Sequence, residues 1–214
     1  MRIYRHIPEL NFHSPCVLTI GNYDGIHLGH QKLINELIIK SKKYQIDSAI
    51  MIFEPHPREF FTPNDAPYRV TSLREKIEFF KLKKINRIYV IKFNDKFANM
   101  PGLDFIKKLK KQIFVKVLLI GEDFRFGKNR EFGLKDLLKS DIEVSIVKDV
   151  EKNNKRVSSS ELRKALSGGN LSLAKDLLGR HYSISGKVIY GEQRGRLIGF
   201  PTANIHMFHN RPPI

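Results

Sequence analysis

Two histidines near the N-terminus have the type and spacing most suited to chemistry. Residues 21–30 read GNYDGIHLGH, so His27 and His30 stand three residues apart where an apolar helical pattern begins. On the first turn of a helix this spacing places both imidazoles on one face. The glycines and the unpaired N–H groups of a helix start favour a bound phosphate. We therefore predict that both histidines bind a triphosphate and stabilise charge on a leaving pyrophosphate.

Two other interpretations of the same segment remain open from the residues alone. A helix cap with incidental histidines would have this pattern, and so would half of a zinc site, although no third ligand is evident. The kinase P-loop pattern GxxxxGK[ST] is missing. Gly29 between the histidines removes a side chain that would crowd a ligand. The phosphate interpretation is therefore preferred.

A serine-rich segment, RVSSSELR, supplies a second candidate phosphate contact. Ser158 and Glu161 have the spacing of a capping box, which predicts a helix start. Ser159, Ser160 and Arg163 can then direct two hydroxyls and a guanidinium at an anion. Such a segment is common by itself, but beside the histidine loop it predicts the opposite side of a triphosphate clamp.

Strand-like apolar segments alternate with amphipathic helical segments over most of the chain. Strands are predicted at 16–20, 48–53, 87–93, 115–120 and 142–147, and helices at 28–43, 72–83, 103–111, 158–166 and 171–178. This alternation predicts an α/β fold with a Rossmann-like, doubly wound parallel sheet. Ligands of such sheets bind beyond the carboxyl ends of the strands. The predicted site loops are therefore 21–30, 53–61 and 121–130.

The alternation of strand and helix patterns ends near Tyr182. Residues 183–190 alternate in the manner of a β-strand, and glycines punctuate the remainder. We predict one domain over 1–182 and a separate fragment over 183–214. The fragment is too short for an independent core, because chains below about 40 residues usually need outside support.

Composition and charge narrow the class of protein. Hydrophobic residues make up 41% and charged residues 28%, the balance of a globular domain. No apolar run approaches a membrane span and no signal peptide is evident, so we expect a cytoplasmic protein with no membrane partner. The lone cysteine, Cys16, stands in an apolar run and is expected to be a core residue.

The net charge of +16 comes from 38 Lys and Arg against 22 Asp and Glu. It suits an anionic partner, which is either a nucleic acid or a phosphorylated small molecule. Abundant lysine can also reflect compositional bias alone. Many of the lysines accompany helical patterns, where a solvated face is the ordinary role.

Further motifs carry a resemblance to a known family. They are 53–61 (FEPHPREFF), 121–127 (GEDFRFG), 177–180 (LLGR) and 195–205 (GRLIGFPTANI). Together with the histidine and serine motifs, they resemble the bacterial bifunctional riboflavin kinase/FAD synthetases over essentially the whole chain. The resemblance implies a nucleotidyltransferase that moves AMP from ATP to FMN with Mg²⁺, giving FAD and pyrophosphate.

The resemblance also implies roles for individual residues. The expected catalytic residues are His27, His30 and Arg163. The expected ATP-binding residues are Gly21, Tyr23, Asp24, Gly25, Ser159 and Ser160. The expected flavin-binding residues are Phe61, Asp123 and Phe126, because aromatic rings stack on planar heterocycles. Thr202 and Asn204 match the magnesium and phosphate residues of the kinase module.

The family's kinase module continues well past Asn204, whereas this sequence stops at Ile214. We therefore expect an incomplete all-β barrel after the α/β domain, and loss of riboflavin kinase activity. Two alternative functions are another adenylyltransferase, acting on nicotinamide mononucleotide or phosphopantetheine, and a basic nucleic-acid-binding protein. The Phe/Pro loop, the segment from Asp123 to Phe126 and the kinase-like tail together favour FMN over the substrates of another adenylyltransferase. The expected partners are FMN and ATP, and nucleic acid is not expected.

Overall fold

The computed structural model describes residues 1–9, 14–152 and 155–206. Its centre is a parallel sheet of six strands in the order β1-β4-β3-β2-β5-β6. The strands are β1 (Arg2–Tyr4), β2 (Cys16–Ile20), β3 (Asp47–Glu54), β4 (Arg87–Lys92), β5 (Val115–Gly121) and β6 (Glu143–Val147). The predicted parallel α/β architecture is confirmed.

Helices and short irregular turns connect these strands. They are α1 (Leu28–Tyr44), α2 (Pro57–Phe61), α3 (Leu73–Leu82), α4 (Asp95–Ala98), α5 (Gly102–Lys108), α6 (Leu134–Leu137), α7 (Ser159–Ser167) and α8 (Leu171–Leu178). A π-helical turn (Leu109–Ile113) extends α5, and a 3-10 turn (Lys128–Arg130) precedes α6. Between β6 and α7, β7 (Glu151–Lys152) pairs antiparallel with β8 (Lys155–Arg156).

Both faces of the sheet are covered, as a parallel sheet requires. On one face, strand residues such as Val17 and Ile50 pack with Ile34 of α1 and Phe80 of α3. On the other face, Leu18 and its neighbours pack with α5. A third apolar cluster joins α7 and α8 to the segment around Val70. Helix α7, which carries the serine motif, is therefore held against α8 and this segment.

The direction of winding reverses beside β2. From β2 the chain moves through β3 to β4, and it then returns to β5 on the other side of β2. A crevice forms at such a switch point, beyond the carboxyl ends of the strands, and ligands of open α/β sheets bind there. The loops after β2, β3 and β5 all open onto this edge, as predicted.

Several short elements were not predicted from the sequence, among them α4, α6, β7 and β8, and two more bear on the sheet edge and the site loops. The edge strand β1 is only three residues long, too short to show a period. Helix α2 begins at Pro57, where the prolines predicted only the end of a strand. Proline at the first helical position costs nothing, because its missing N–H has no helical partner there.

The C-terminal segment contains β9 (Lys187–Ile189), α9 (Arg194–Leu197) and β10 (Asn204–His206). β9 and β10 pair antiparallel and are exposed along their length. Strand β9 has three residues, fewer than the alternating apolar pattern over residues 183–190 predicted. The barrel to which this segment was assigned stays a prediction.

Within the described ranges, no helix is both long and apolar enough to cross a membrane.

Candidate active site

The loop between β2 and α1 presents the two histidines as a stacked pair. His27 is the N-cap of α1, and its Nδ1 accepts a hydrogen bond from the His30 backbone N–H at 3.4 Å. The two ring centroids are 3.7 Å apart and the planes differ by 20°. The predicted placement of both rings on one face at a helix start is observed. Both imidazoles therefore lie at the positive end of a 17-residue helix.

Burial keeps this pair uncharged at neutral pH. His27 is 6% exposed, and burial, opposed by the charge of Asp24 and assisted by those of Arg156 and Arg163, lowers its pKa to about 4. Burial also lowers the pKa of His30 well below its ordinary value, assisted by the charges of His27 and Lys76. A neutral imidazole donates through only one nitrogen. The pair thus offers directional hydrogen bonds rather than positive charge.

Asp24 anchors the loop that precedes these histidines. It is 2% exposed, and its Oδ1 accepts from the backbone N–H groups of Val70 and Thr71 at 3.0 Å each. Its Oδ2 accepts from Arg163 Nη2 at 2.6 Å. Burial alone would raise the pKa of Asp24, but the charges of Lys76 and Arg163 and the two amides outweigh it and lower that pKa. Asp24 is therefore an ionised residue that ties three segments together.

The start of α7 contacts the same loop, as the serine motif predicted. Ser158 Oγ accepts from the Glu161 N–H at 3.2 Å, while the Glu161 carboxylate bonds Lys164 Nζ at 2.9 Å. Only the first half of the expected capping box is thus formed. Ser159 Oγ donates to the Asp24 carbonyl oxygen at 2.9 Å. Ser160 is exposed at the helix start.

Arg163 is held on both sides. Its Nη2 bonds Asp24, and its Nε donates to the Tyr68 carbonyl oxygen at 2.9 Å. The sequence predicted that this guanidinium contacts an anion. In the structure that anion is the carboxylate of Asp24. A guanidinium has five N–H donors, so the two contacts leave others available.

Two glycines allow the loop and the α1 start to pack closely. Gly25 has φ +86°, and a Cβ there would lie 2.5 Å from Leu162 of α7. A Cβ on Gly29 would lie 3.2 Å from the His27 ring. The Gly25 carbonyl oxygen also accepts from Arg180 Nη2 at 3.1 Å. A side chain at Gly25 would strain the backbone and press on Leu162, and one at Gly29 would press on the His27 ring.

Tyr23, one of the expected ATP-binding residues, has its side chain in the core. Its side chain is fully buried, and its hydroxyl shares a 2.7 Å hydrogen bond with Thr19 Oγ1. Its ring centroid lies 5.0 Å from that of His30 and 5.6 Å from that of Phe80. The ring therefore supports His30 from the core. Gly21, at the end of β2, bonds through its N–H to the Met51 carbonyl oxygen at 3.1 Å.

The three predicted flavin residues differ in exposure. Phe61 ends α2 and is 63% exposed, with its ring against Phe60 and Phe93. Phe126 is 8% exposed and packs in the core cluster. Asp123 is exposed, and its Oδ2 accepts from Arg156 Nη2 at 2.9 Å. Phe61 thus offers an open ring face, whereas Phe126 lies behind the surface.

Several ionisable residues of the site received no individual role in the sequence analysis. Arg69 forms ion pairs with Glu54 at the end of β3 and with Glu59 of α2. His56, in the predicted flavin loop, caps α2, and burial lowers its pKa to about 4. Lys76 is buried on α3. A lysine on the apolar stripe of a helix is the signal that could have identified it, because that stripe faces the core.

Thr202 and Asn204 belong to the C-terminal segment, where both are exposed and Asn204 begins β10. Among the residues that the structure describes, no group of three or more His, Cys, Asp or Glu side chains is arranged to hold a metal ion. The zinc interpretation of the histidine pair therefore gains no further ligand.

Comparison with known proteins places the histidine loop and the start of α7 within one family model, which ends two residues before Arg163. Residues 9–161 match the model of the family FAD synthetase, and residues 178–213 match that of riboflavin kinase. The first match includes the histidine loop and the start of α7. The second begins at the end of α8.

Individual relatives extend over nearly the whole chain. A bifunctional riboflavin kinase/FMN adenylyltransferase from Buchnera aphidicola subsp. Acyrthosiphon pisum is 43% identical, covering 98% of this chain and 69% of that protein. The protein of the same name from Escherichia coli K12 is 39% identical, with 100% and 71% covered. A crystal structure titled macrolide-efflux protein from Streptococcus pneumoniae is 28% identical, with a TM-score of 0.81 over 97% of this chain and 69% of that one.

Proposed function

The chain belongs to the FAD synthetase family, and from that premise we propose that it transfers AMP from ATP to FMN, giving FAD and pyrophosphate. The observation that carries the proposal is the match over residues 9–161, which contains the stacked histidines and the start of α7. The activity is that of an FMN adenylyltransferase. Its substrates are ATP and FMN.

The reaction needs little proton chemistry from the protein. A phosphate oxygen of FMN forms a bond to the α-phosphorus of ATP while the bond to the bridging oxygen of the leaving pyrophosphate breaks. A phosphate monoester with a second pKa of about 6 is already ionised near pH 7. The protein must therefore position the phosphates and stabilise the charge that develops on pyrophosphate.

The histidine pair and the α1 N-terminus are suited to that task. His27 and His30 are neutral and are held in place by stacking, and they lie at the N-terminus of α1, where helices favour a bound anion. Ser160 and the remaining donors of Arg163 complete the proposed clamp. In this proposal Asp24, Ser159 and the glycines act by holding the clamp together.

We propose that Mg²⁺ accompanies the triphosphate. In nucleotide enzymes Mg²⁺ is usually bound by substrate phosphates with one or two carboxylates, because it keeps much of its water shell. The described residues fit that mode rather than a protein cage, since no group of three candidate ligands is present. When bound, the ion would supply positive charge to the phosphates.

The proposed flavin site lies on the loops after β3 and β5. Phe61 offers an exposed ring for stacking, Asp123 a polar group, and Phe126 a ring in the supporting layer. These roles rest on the family motifs and on the position of both loops at the sheet's carboxyl edge.

The division into domains 1–182 and 183–214 is also a proposal, as are a barrel in the second, its Thr202 and Asn204 sites, and a cytoplasmic location. The match of residues 178–213 to riboflavin kinase supports the assignment of the second segment.

The test is incubation of the purified protein with FMN, ATP and Mg²⁺, followed by chromatography for FAD and measurement of pyrophosphate. We expect FAD and pyrophosphate in equal amounts. Turnover of nicotinamide mononucleotide or phosphopantetheine instead of FMN would assign another adenylyltransferase. Salt-sensitive binding of nucleic acid without FAD formation would instead identify the chain as a basic nucleic-acid-binding protein.

A further inference from the structure

We divide the candidate site into a phosphate side, formed by the loop after β2 and the start of α7, and a flavin side, formed by the loops after β3 and β5. Lys76 is a mostly buried cation located between these two sides. It lies on the second turn of α3 and is 4% exposed. Its charge acts on Asp24 and His30 of the phosphate side and on His56 of the predicted flavin loop. Residues 69–71, just before α3, bond Asp24 in the loop after β2 and Glu54 and Glu59 at the loop after β3. Lys76 therefore lies on the helix that begins where these two loops meet.

The carboxylates that face Lys76 are already engaged by arginines. Asp24 bonds Arg163 and two backbone amides, and Glu54 and Glu59 both pair with Arg69. Over the described ranges, the Lys76 ammonium has no hydrogen bond or ion pair of its own. Burial lowers the pKa of Lys76, although Asp24, Glu54 and Glu59 partly offset it. A mostly buried cation without a direct partner carries a desolvation cost, and an anionic ligand would offset it.

A second unpartnered group lies in the same place. Nδ1 of His30 is buried and, among the described residues, has no hydrogen-bond partner. The ring of His30 stacks on His27, so this nitrogen belongs to the predicted phosphate site. An acceptor or donor group of a ligand would satisfy His30, and a phosphate oxygen would satisfy Lys76.

We propose that Lys76 is a further catalytic residue, whose ammonium binds phosphate oxygens where the phosphate of FMN approaches the α-phosphate of ATP. This inference rests on the proposed adenylyl transfer. His27 and His30 supply hydrogen bonds but no positive charge. The Lys76 ammonium, between the phosphate and flavin sides, supplies positive charge there. Positive charge there stabilises a transition state more than the separate substrates, since the two phosphates come together only in the reaction.

The test compares Lys76→Met with Lys81→Met, a matched removal of an exposed lysine on the same helix. We expect Lys76→Met to lower kcat by about 10²–10³-fold, the loss seen for one transition-state donor. The KM for ATP and for FMN should change by less than tenfold. Lys81→Met should keep the wild-type values. Circular dichroism and thermal unfolding establish that each variant is folded.

A folded Lys76→Met protein with turnover within threefold of wild type would overturn the proposal and leave Lys76 a charge-balancing residue. If the Met variant does not fold, Lys76→Gln is measured against the same limits. Failure of both to fold would assign Lys76 to the fold and also overturn the proposal.

Pyrophosphate binding, measured by calorimetry, separates this inference from the function on which it rests. A wild-type protein that makes no FAD would contradict the proposed function. Loss of pyrophosphate binding in Lys76→Met, but not in Lys81→Met, would still support an anion site at Lys76. Equal pyrophosphate affinity in all three proteins would count against it.

Discussion

The two sides of the candidate site are built in different ways. The phosphate side is fixed by directional bonds, with Asp24 alone accepting from two amides and Arg163. The flavin side is fixed by contacts among phenylalanine rings at centroid distances of 5.2 to 5.8 Å. Polar groups must be oriented to act on a phosphate, whereas a planar ring system needs mainly an apolar surface of the right extent.

This contrast predicts separable effects of mutation. Changes on the phosphate side should alter turnover, and changes on the flavin side should alter either stability or FMN affinity, according to burial. Four experiments test this division.

The largest effect is expected for Phe126→Ala. The ring is buried against Phe105, Phe124 and Phe132, so its removal leaves a cavity and should lower the free energy of unfolding by about 3–5 kcal/mol. Denaturant titration measures this loss. Phe61→Ala is the control and should cost far less. A stable Phe126→Ala protein that binds FMN poorly would show that the ring contacts flavin directly.

His27→Asn should act on turnover instead. Asparagine retains an N-cap acceptor, so the helix start is preserved while the imidazole donor is lost. We expect kcat to fall by about 10²–10³-fold, equivalent to about 2.7–4 kcal/mol, with little change in FMN affinity. Steady-state kinetics and FMN fluorescence titration measure the two quantities. Wild-type turnover in this variant and in His30→Asn would refute the role of the pair.

Acid should destabilise the phosphate side. The pKa of His27 is about 4 in the folded protein against an ordinary 6.5, so the unfolded chain takes up the proton first. Above pH 6.5 His27 is neutral in both the folded and the unfolded chain, so it does not change the free energy of unfolding. As the pH falls from 6.5 toward 4, protonation of the unfolded chain lowers the free energy of unfolding by about 3 kcal/mol. Urea titrations across this range measure the loss. The His27→Asn protein should show a shallower dependence, and identical slopes would contradict the assignment.

The smallest effect is expected for Phe61→Ala. Loss of one stacking face should weaken FMN binding by about 1–3 kcal/mol while ATP binding and stability stay nearly unchanged. Phe61→Tyr retains the ring and serves as the matched control. Equal losses of affinity for FMN and ATP would show that the two sides of the site are not independent.

Local pattern was sufficient to predict most helices and strands, since apolar periodicity and caps such as Ser72 and Ser158 act within a few residues. It also located the histidine pair. Partners distant in sequence were not predictable. Nothing local to Arg163 indicates that it bonds Asp24, and nothing local to Tyr23 indicates that its ring lies beneath His30. Lys76 gave a local signal, a charge on an apolar stripe, whose meaning depends on the loops that surround it.

The hydrogen bonds that fix the histidine loop also determine when this loop forms during folding. Asp24 is bonded to residues 135 and 139 positions later, Ser159 and Arg163, and Gly25 to Arg180, 155 positions later. Contacts of such sequence separation carry a high entropic cost of loop closure and form late. During synthesis the sheet can therefore assemble well before the nucleotide site does. A nascent chain should gain affinity for ATP only after the segment through Arg180 has emerged and docked.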